Sequence, residues 1–285
     1  MSGTGGTTTS SMNGSGSSGT GVLPPDHVST CQGKVYACGD LVDNDMDGLI
    51  DSQDPDCLGP CDNTEDSYFG GIPGQAGPGC KVDCYFDQDS GAGNDDCNWD
   101  HKCDPYEVAP NYYPESNNGS MCAYAGPTYK VTANATCADL DTAQSAACHD
   151  YCGPLTPNGC DCFGCCELPA GKGKYVWLGS ESAGGLCDIA HVDDPSRCQP
   201  CTPVADCLNG CDPCEICIGK PAPDPGCGGT TTSTTSSTGA FMTGSSSSGG
   251  GGQCLPDVQP CGLPGQAACP VGFFCNTGCC TEEPK

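Results

Sequence analysis

A small disulfide-rich fold is predicted, mostly irregular, with short strands and short helices, and with low-complexity tethers at the N-terminus and before the last module. Three observations predict it. The chain carries 30 cysteines in 285 residues, a density expected of disulfide scaffolds. Leu, Ile, Val and Phe make up about 12 per cent of it, and the formal charge is −27, so apolar burial alone would not offset chain entropy. Bridges can take over, at roughly 2–4 kcal/mol each, by restricting the unfolded chain. Finally, a Gly/Ser/Thr stretch divides the cysteines into sets of 24 and six, both even, as self-contained bridge sets require.

In chain order, residues 1–28 read as a low-complexity tether. Residues 29–126 are acidic, turn-rich and cysteine-rich, the expected calcium-binding region. Residues 127–227 read as a cysteine-rich domain with short helices and strands. There "TYKVTA" (128–133) and "KYVWLG" (174–179) have the β-branched and aromatic content of strands. "TCADLDTAQSAACHDYCG" (136–153) reads as a helix, with Thr136 as cap, Asp139 at the third helical position and Gly153-Pro154 as the stop. Thr202-Pro203 and Asp212-Pro213 each look like a cap followed by a first-turn proline, which predicts short helices over 202–210 and 212–221. Residues 228–253 form a Gly/Ser/Thr linker, and 254–285 a six-cysteine module with fifteen conceivable connectivities.

Disulfides need an oxidising compartment, yet Met1 is followed directly by "SGTGGTTTSSMNGSGSSGTG", with neither the basic nor the apolar region of a secretion signal. The expectation is an extracytoplasmic protein, secreted or a cell-surface lipoprotein, with its true start and any lipid anchor upstream of Met1. No run approaches the roughly 18 apolar residues of a membrane span. The acidic balance excludes a general nucleic-acid binder, which needs a basic face. Half of the acidic residues fall between Asp40 and Glu107, against Lys81 and Lys102 alone. That asymmetry makes cations the expected partner.

The segment "DNDMDGLIDSQD" (43–54) gives the cation a place. Asp43, Asp45 and Asp47 fall at positions 1, 3 and 5 of a twelve-residue loop, and Gly48 at the sharp turn of position 6. Leu49 supplies a carbonyl at 7, Asp51 stands at 9 and Asp54 at 12. This is the ligand schedule of an EF-hand-type Ca²⁺ loop, where hard carboxylate oxygens suit an ion that takes six to eight of them. Asp replaces Glu at position 12, and Pro55 prevents an exit helix. A second acidic loop, "FDQDSGAGNDDC" (86–97), offers Asp87, Asp89, Asn94, Asp95 and Asp96 without a fixed schedule.

Rival chemistries are weaker. Cys198/Cys201 and Cys211/Cys214 have zinc-like spacing, but Cys207, Cys217 and Cys227 crowd the same segment and favour bridges. The "CDPCEIC" run (211–217) lacks the further cysteine of an iron–sulfur motif. His27, His101, His149 and His191 are scattered, and neither H-E-x-x-H nor G-x-S-x-G occurs. No catalytic site is expected.

With its Cys57 ending, "DNDMDGLIDSQDPDC" resembles the calcium repeats of thrombospondin type 3 and dockerin modules. This stretch, "DCYFDQDSGAGNDDCNWDHKCDP", "PLTPNGCDCFGCCELP", "CTPVADCLNGCDPCEICIGKP" and "CLPDVQPCGLPGQAACPVGFFCNTGCC" together resemble cysteine-rich extracytoplasmic proteins of myxobacteria and their relatives. The resemblance implies secretion or surface attachment and no particular activity. A tryptophan synthase alpha chain, a (β/α)₈ barrel, would need alternating strands and helices that this sequence does not show. The expected role is therefore a non-enzymatic, calcium-stiffened structural or adhesion protein facing extracellular protein or polysaccharide. The alternative is a partner-binding or inhibitor protein acting through the last module, with "GFF" (272–274) either as its contact or as its small core.

Overall fold

The computed structural model describes residues 25–31, 33–68, 80–87, 95–106, 122–179, 187–220, 254, 258–263 and 266–283. Residues 1–24 of the expected N-terminal tether and the whole expected linker 228–253 lie outside these residues. What is described is a small disulfide-rich, mostly irregular fold. Fourteen disulfides cross-link it, and no described cysteine is free.

Regular structure is short, as low apolar content dictates. Among the described residues three two-stranded antiparallel sheets form: β1 (Lys81–Val82) with β2 (Trp99–Asp100), β3 (Cys165–Glu167) with β4 (Tyr175–Trp177), and β5 (Phe273–Asn276) with β6 (Cys279–Glu282). Strand β4 lies where the sequence predicts it. The predicted strand at 128–133 does not form; only a lone bridge joins Lys130 to Thr136, because the Val131 and Thr132 N–H groups donate to Ala135 O within a local turn.

The helix predicted over 136–153 forms as two, α1 (Cys137–Thr142) and α2 (Ala146–Tyr151). The predicted cap is present: the Thr136 N–H and Oγ1 both donate to the Asp139 carboxylate, at 2.9 and 2.7 Å. Long-range bonds break the helix in the middle. The Gln144 N–H donates to Asp206 Oδ2 at 2.6 Å, and its side-chain amide donates to Leu140 O and Asn98 O. Ser145 then caps α2, its Oγ accepting from the Cys148 N–H. The helices predicted over 202–210 and 212–221 are also corrected. The first shrinks to a single 3₁₀ turn at Ala205–Cys207, and the second is replaced by turns closed by the Cys211–Cys217 bridge. Segments this short do not hold a helix without tertiary support.

The core gathers residues from Leu58 to Ile218 in one cluster, with Tyr68, Trp99, Phe163, Leu168, Val176, Trp177, Leu178 and Val204 at its centre. Cysteines make up nearly half of the cluster. Bridges Cys84–Cys152, Cys97–Cys148 and Cys103–Cys137 run between the segments on either side of residue 126, so the acidic region and the following domain share this core. A buried carboxylate organises its tightest turn. Asp161 Oδ1 accepts from the Phe163 and Cys165 N–H groups, and Oδ2 from the Val204 N–H. Gly164, at φ +83°, lies against the Tyr85 ring so closely that a Cβ would stand 2.9 Å from it.

In the last module Cys254 pairs with Cys279, Cys261 with Cys275, and Cys269 with Cys280. Thr277 and Gly278 turn the β5–β6 hairpin, both at positive φ, as a two-residue type I′ loop demands. The module rests on the rest of the molecule. Asn276 Nδ2 donates to Leu155 O, and the Thr30 N–H and Oγ1 donate to Glu283 Oε2. Of "GFF", Phe274 is buried and Phe273 half-exposed.

Candidate metal centre

The acidic loop lies on a covalent frame. Cys38–Cys57 closes residues 38–57 into a ring, and Cys31–Cys61 braces it from outside. No Lys or Arg occurs between Lys34 and Lys81. Inside the ring, side chains fold back on the backbone. Asp43 accepts from the Met46 N–H at 2.6 Å and the Gly48 N–H at 3.1 Å. Asp45 accepts from the Asp47 N–H, and Asp47 from the Leu49 N–H. Each of these three carboxylates thus has its direction set by the loop itself. Gly48 turns the chain at φ +98° with open space where a Cβ would stand, matching the turn expected at position 6.

The two later ligand candidates diverge. Asp54 is 4% exposed; one oxygen accepts from the Asp56 N–H at 2.8 Å, and Oδ2 is buried with no hydrogen-bond partner. Burial pushes its carboxyl up to about 7, and the charges of Asp47, Asp56 and Asp45 add to the rise. Asp54 therefore feels the negative charges at positions 3 and 5. Asp51 turns elsewhere. Its carboxylate accepts from the Leu41 N–H at 3.1 Å, and burial with Glu65 and Asp40 nearby raises it to about 6.

Two residues outside the expected set belong to this place. Glu65, 2% exposed, clamps the loop: its oxygens accept from the Asn44 N–H at 2.6 Å and the Asp51 N–H at 2.8 Å. Asp56 carries a second buried oxygen without a partner, Oδ1. Burial, then the charge of Asp188, pushes the Asp56 carboxyl up to about 6, with Asp45 and Asp47 adding to the rise. The "DPDC" ending holds the signal for Asp56; Glu65 has no signal in the spacing, because it lies eight residues beyond Cys57 and meets the loop only in the fold.

An orphaned, buried carboxylate oxygen costs on the order of 1–3 kcal/mol. A cation at the loop would remove that cost at Asp54. The donors here are hard oxygens, and the nearby sulfurs are all in bridges. The chemistry suits Ca²⁺ and excludes a thiolate metal site.

The second acidic loop is partly described. Asp89 and Asn94 lie outside the described residues. Asp95 accepts from the Cys84 N–H at 3.1 Å and the Cys97 N–H at 2.9 Å, so it organises a turn. Asp87 is buried close to it, while Asp96 is exposed. Cys84, the third member of that group, is bridged to Cys152 and offers no thiolate.

The zinc-like pairs are consumed by disulfides. Cys198 pairs with Cys187, Cys201 with Cys165 and Cys211 with Cys217, and Cys214 is bridged as well. The histidines serve local structure. His149 pairs with Asp206 at 3.0 Å and His191 with Asp188 at 2.7 Å. His101 is buried edge-on against Trp177, and burial pushes its imidazole down to about 3.

No protein-family model, no curated protein and no solved structure matches the chain. The fold and the loop define its class, a disulfide-rich protein of the kind built for oxidising surroundings. Among the described residues no helix is long and apolar enough to cross a membrane.

Proposed function

We propose that this is a non-enzymatic, extracytoplasmic structural or adhesion protein, stapled by disulfides and stiffened by Ca²⁺ at residues 43–54. The observation that carries the metal assignment is the bare, buried Oδ2 of Asp54 beside Asp45 and Asp47, in a stretch without Lys or Arg. Asp43, Asp45, Asp47 and Asp54 are the side-chain ligands and Leu49 the carbonyl ligand; Asp51 acts mainly by fixing the chain near Leu41. Affinity is that of extracellular modules, on the order of 10⁻⁴–10⁻³ M, so the ion serves as structure and not as a signal. Secretion or lipid anchoring at the cell surface supplies the oxidising setting, and extracellular protein or polysaccharide the contact.

The test is unfolding of the oxidised full chain with calcium or with chelator. Calcium at tenfold above Kd should add about 1.4 kcal/mol. Asp43→Ala should remove that gain, because it deletes a ligand. If Asp43→Ala responds to calcium like the parent, the loop is only a solvated acidic run.

A further inference from the structure

The first and last described stretches of the chain meet through two side chains whose facing atoms are bare. His27 Nε2 lies 3.8 Å from Glu283 Oε1. Both atoms are buried, and neither has a hydrogen-bond partner. The other end of each group is held. His27 Nδ1 lies 2.8 Å from Asp26 Oδ1. Glu283 Oε2 accepts from the Thr30 N–H at 2.9 Å and from Thr30 Oγ1 at 3.2 Å. The two bare atoms are thus fixed opposite each other, across a gap too wide for a hydrogen bond. Their side chains are only 14% and 10% exposed, so a buried donor–acceptor pair is left unmade where the last module meets the N-terminal segment.

We propose that His27 and Glu283 form a Zn²⁺ site that clasps the last module to the N-terminal segment. Neither residue belongs to the acidic loop. Two bonds of roughly 2.0–2.2 Å that meet near the tetrahedral angle set their donors about 3.4 Å apart. The 3.8 Å gap need close by only a few tenths of an ångström to hold the ion, whereas a direct hydrogen bond asks for about 0.9 Å. A zinc-bound histidine gives its other ring N–H to a carboxylate, which orients the ring and raises its basicity; Asp26 stands at that place. An imidazole nitrogen with a carboxylate oxygen suits Zn²⁺, while Ca²⁺ takes oxygen. A cavity of about 30 Å³ has His27, Ser29 and Phe274 in its wall. That is room for a water or two, and water completes the shell of a zinc ion with few protein ligands. The six cysteines of the last module pair only among themselves, so the metal supplies the strong link to the rest of the molecule that they do not.

The experiment is calorimetric titration of the oxidised full chain with ZnCl₂ near neutral pH, with CaCl₂ in excess so that the acidic loop does not compete. One equivalent should bind the parent about tenfold more tightly than any later zinc, and His27→Gln and Glu283→Gln should each lose it. No such equivalent in the parent, or the same titration in the parent and both variants, overturns the site. A loss in only one of the two variants overturns the clasp, since the metal then does not join the two segments. NMR of the parent gives a reading that requires no variant to fold. The chain has four histidines, of which His149 and His191 face Asp206 and Asp188 with side chains 44% and 40% exposed. The first equivalent of zinc should shift the ring signals of His27, and those of His149 and His191 should follow only with excess. Movement of either of those two before His27 overturns the assignment.

Discussion

Replacing Gly48 by Val separates a ligand schedule from a mere run of charge. The substitution leaves net charge unchanged. Nothing lies within 4 Å of the position a Cβ would take, so no steric clash is introduced, and φ is +98°. The whole effect is therefore one of backbone conformation. An L-residue held in the left-handed region costs about 1–2 kcal/mol, and a β-branched one lies at the upper end. In the calcium-free protein this exposed loop can relax, and the cost then appears when the ion restores the turn. Calcium affinity should fall by about 5- to 30-fold, at 1.4 kcal/mol per factor of ten. If the loop does not relax, the same 1–2 kcal/mol appears as lost folding stability in chelator. Calorimetric titration together with denaturant unfolding, with and without calcium, closes this cycle. Gly210→Val, which also has open space but no positive φ, is the control. Parent-like affinity combined with parent-like stability in Gly48→Val would refute the argument.

The pH response in chelator should have an unusual sign between pH 6.5 and 8. Burial pushes Asp62 up to about 8 and Asp161 up to about 7, so the folded state keeps protons that the unfolded chain has released, and stability must fall as pH rises through this window. His101, pushed down to about 3, opposes this only below 6.5, where the unfolded chain gains a proton the fold excludes. Asp62→Asn should flatten the slope above pH 6.5, and an unchanged slope would show that Asp62 is ionised in the fold. Gly164→Ala should destabilise by about 2–5 kcal/mol, adding left-handed strain to overpacking against Tyr85, whereas Gly171→Ala, with open space at φ +78°, should cost only the strain; denaturant midpoints compare the two. Peptide mapping without reduction should recover Cys254–Cys279, Cys261–Cys275 and Cys269–Cys280 in the last module, and any other pairing there overturns its hairpin register.

The parts of this structure that were legible in the sequence are those fixed by neighbours in the chain. Thr136 and Asp139 form their cap from adjacent residues, Tyr175–Trp177 forms a strand from its β-branched and aromatic side chains, and Gly48 takes the turn its position demands. The cysteine count announced bridging but not partners, because any of many pairings satisfies an even number. The rest was hidden by distance along the chain. Gln144 breaks a good helical pattern because Asp206, 62 residues on, takes its N–H. Glu65 clamps the acidic loop from outside the twelve-residue schedule, and Asp188 approaches Asp56 from beyond the core. Asp51 fits the schedule by spacing, yet its carboxylate serves the Leu41 N–H. Spacing specifies what a loop offers, and the frame around it decides which offers meet.

The three bridges that cross residue 126 also set how the molecule answers a pulling force. Tension applied through the chain ends would run from Cys84 directly to Cys152, bypassing the segment between two residues 68 positions apart. Those residues can lose their packing and still add no reach. Were this bridge and the others that span the segment all reduced, it could pay out about 235 Å of extended chain at roughly 3.5 Å per residue. In an oxidising setting the bridged body is thus a short inextensible link, and thiol exchange, not load, governs its length.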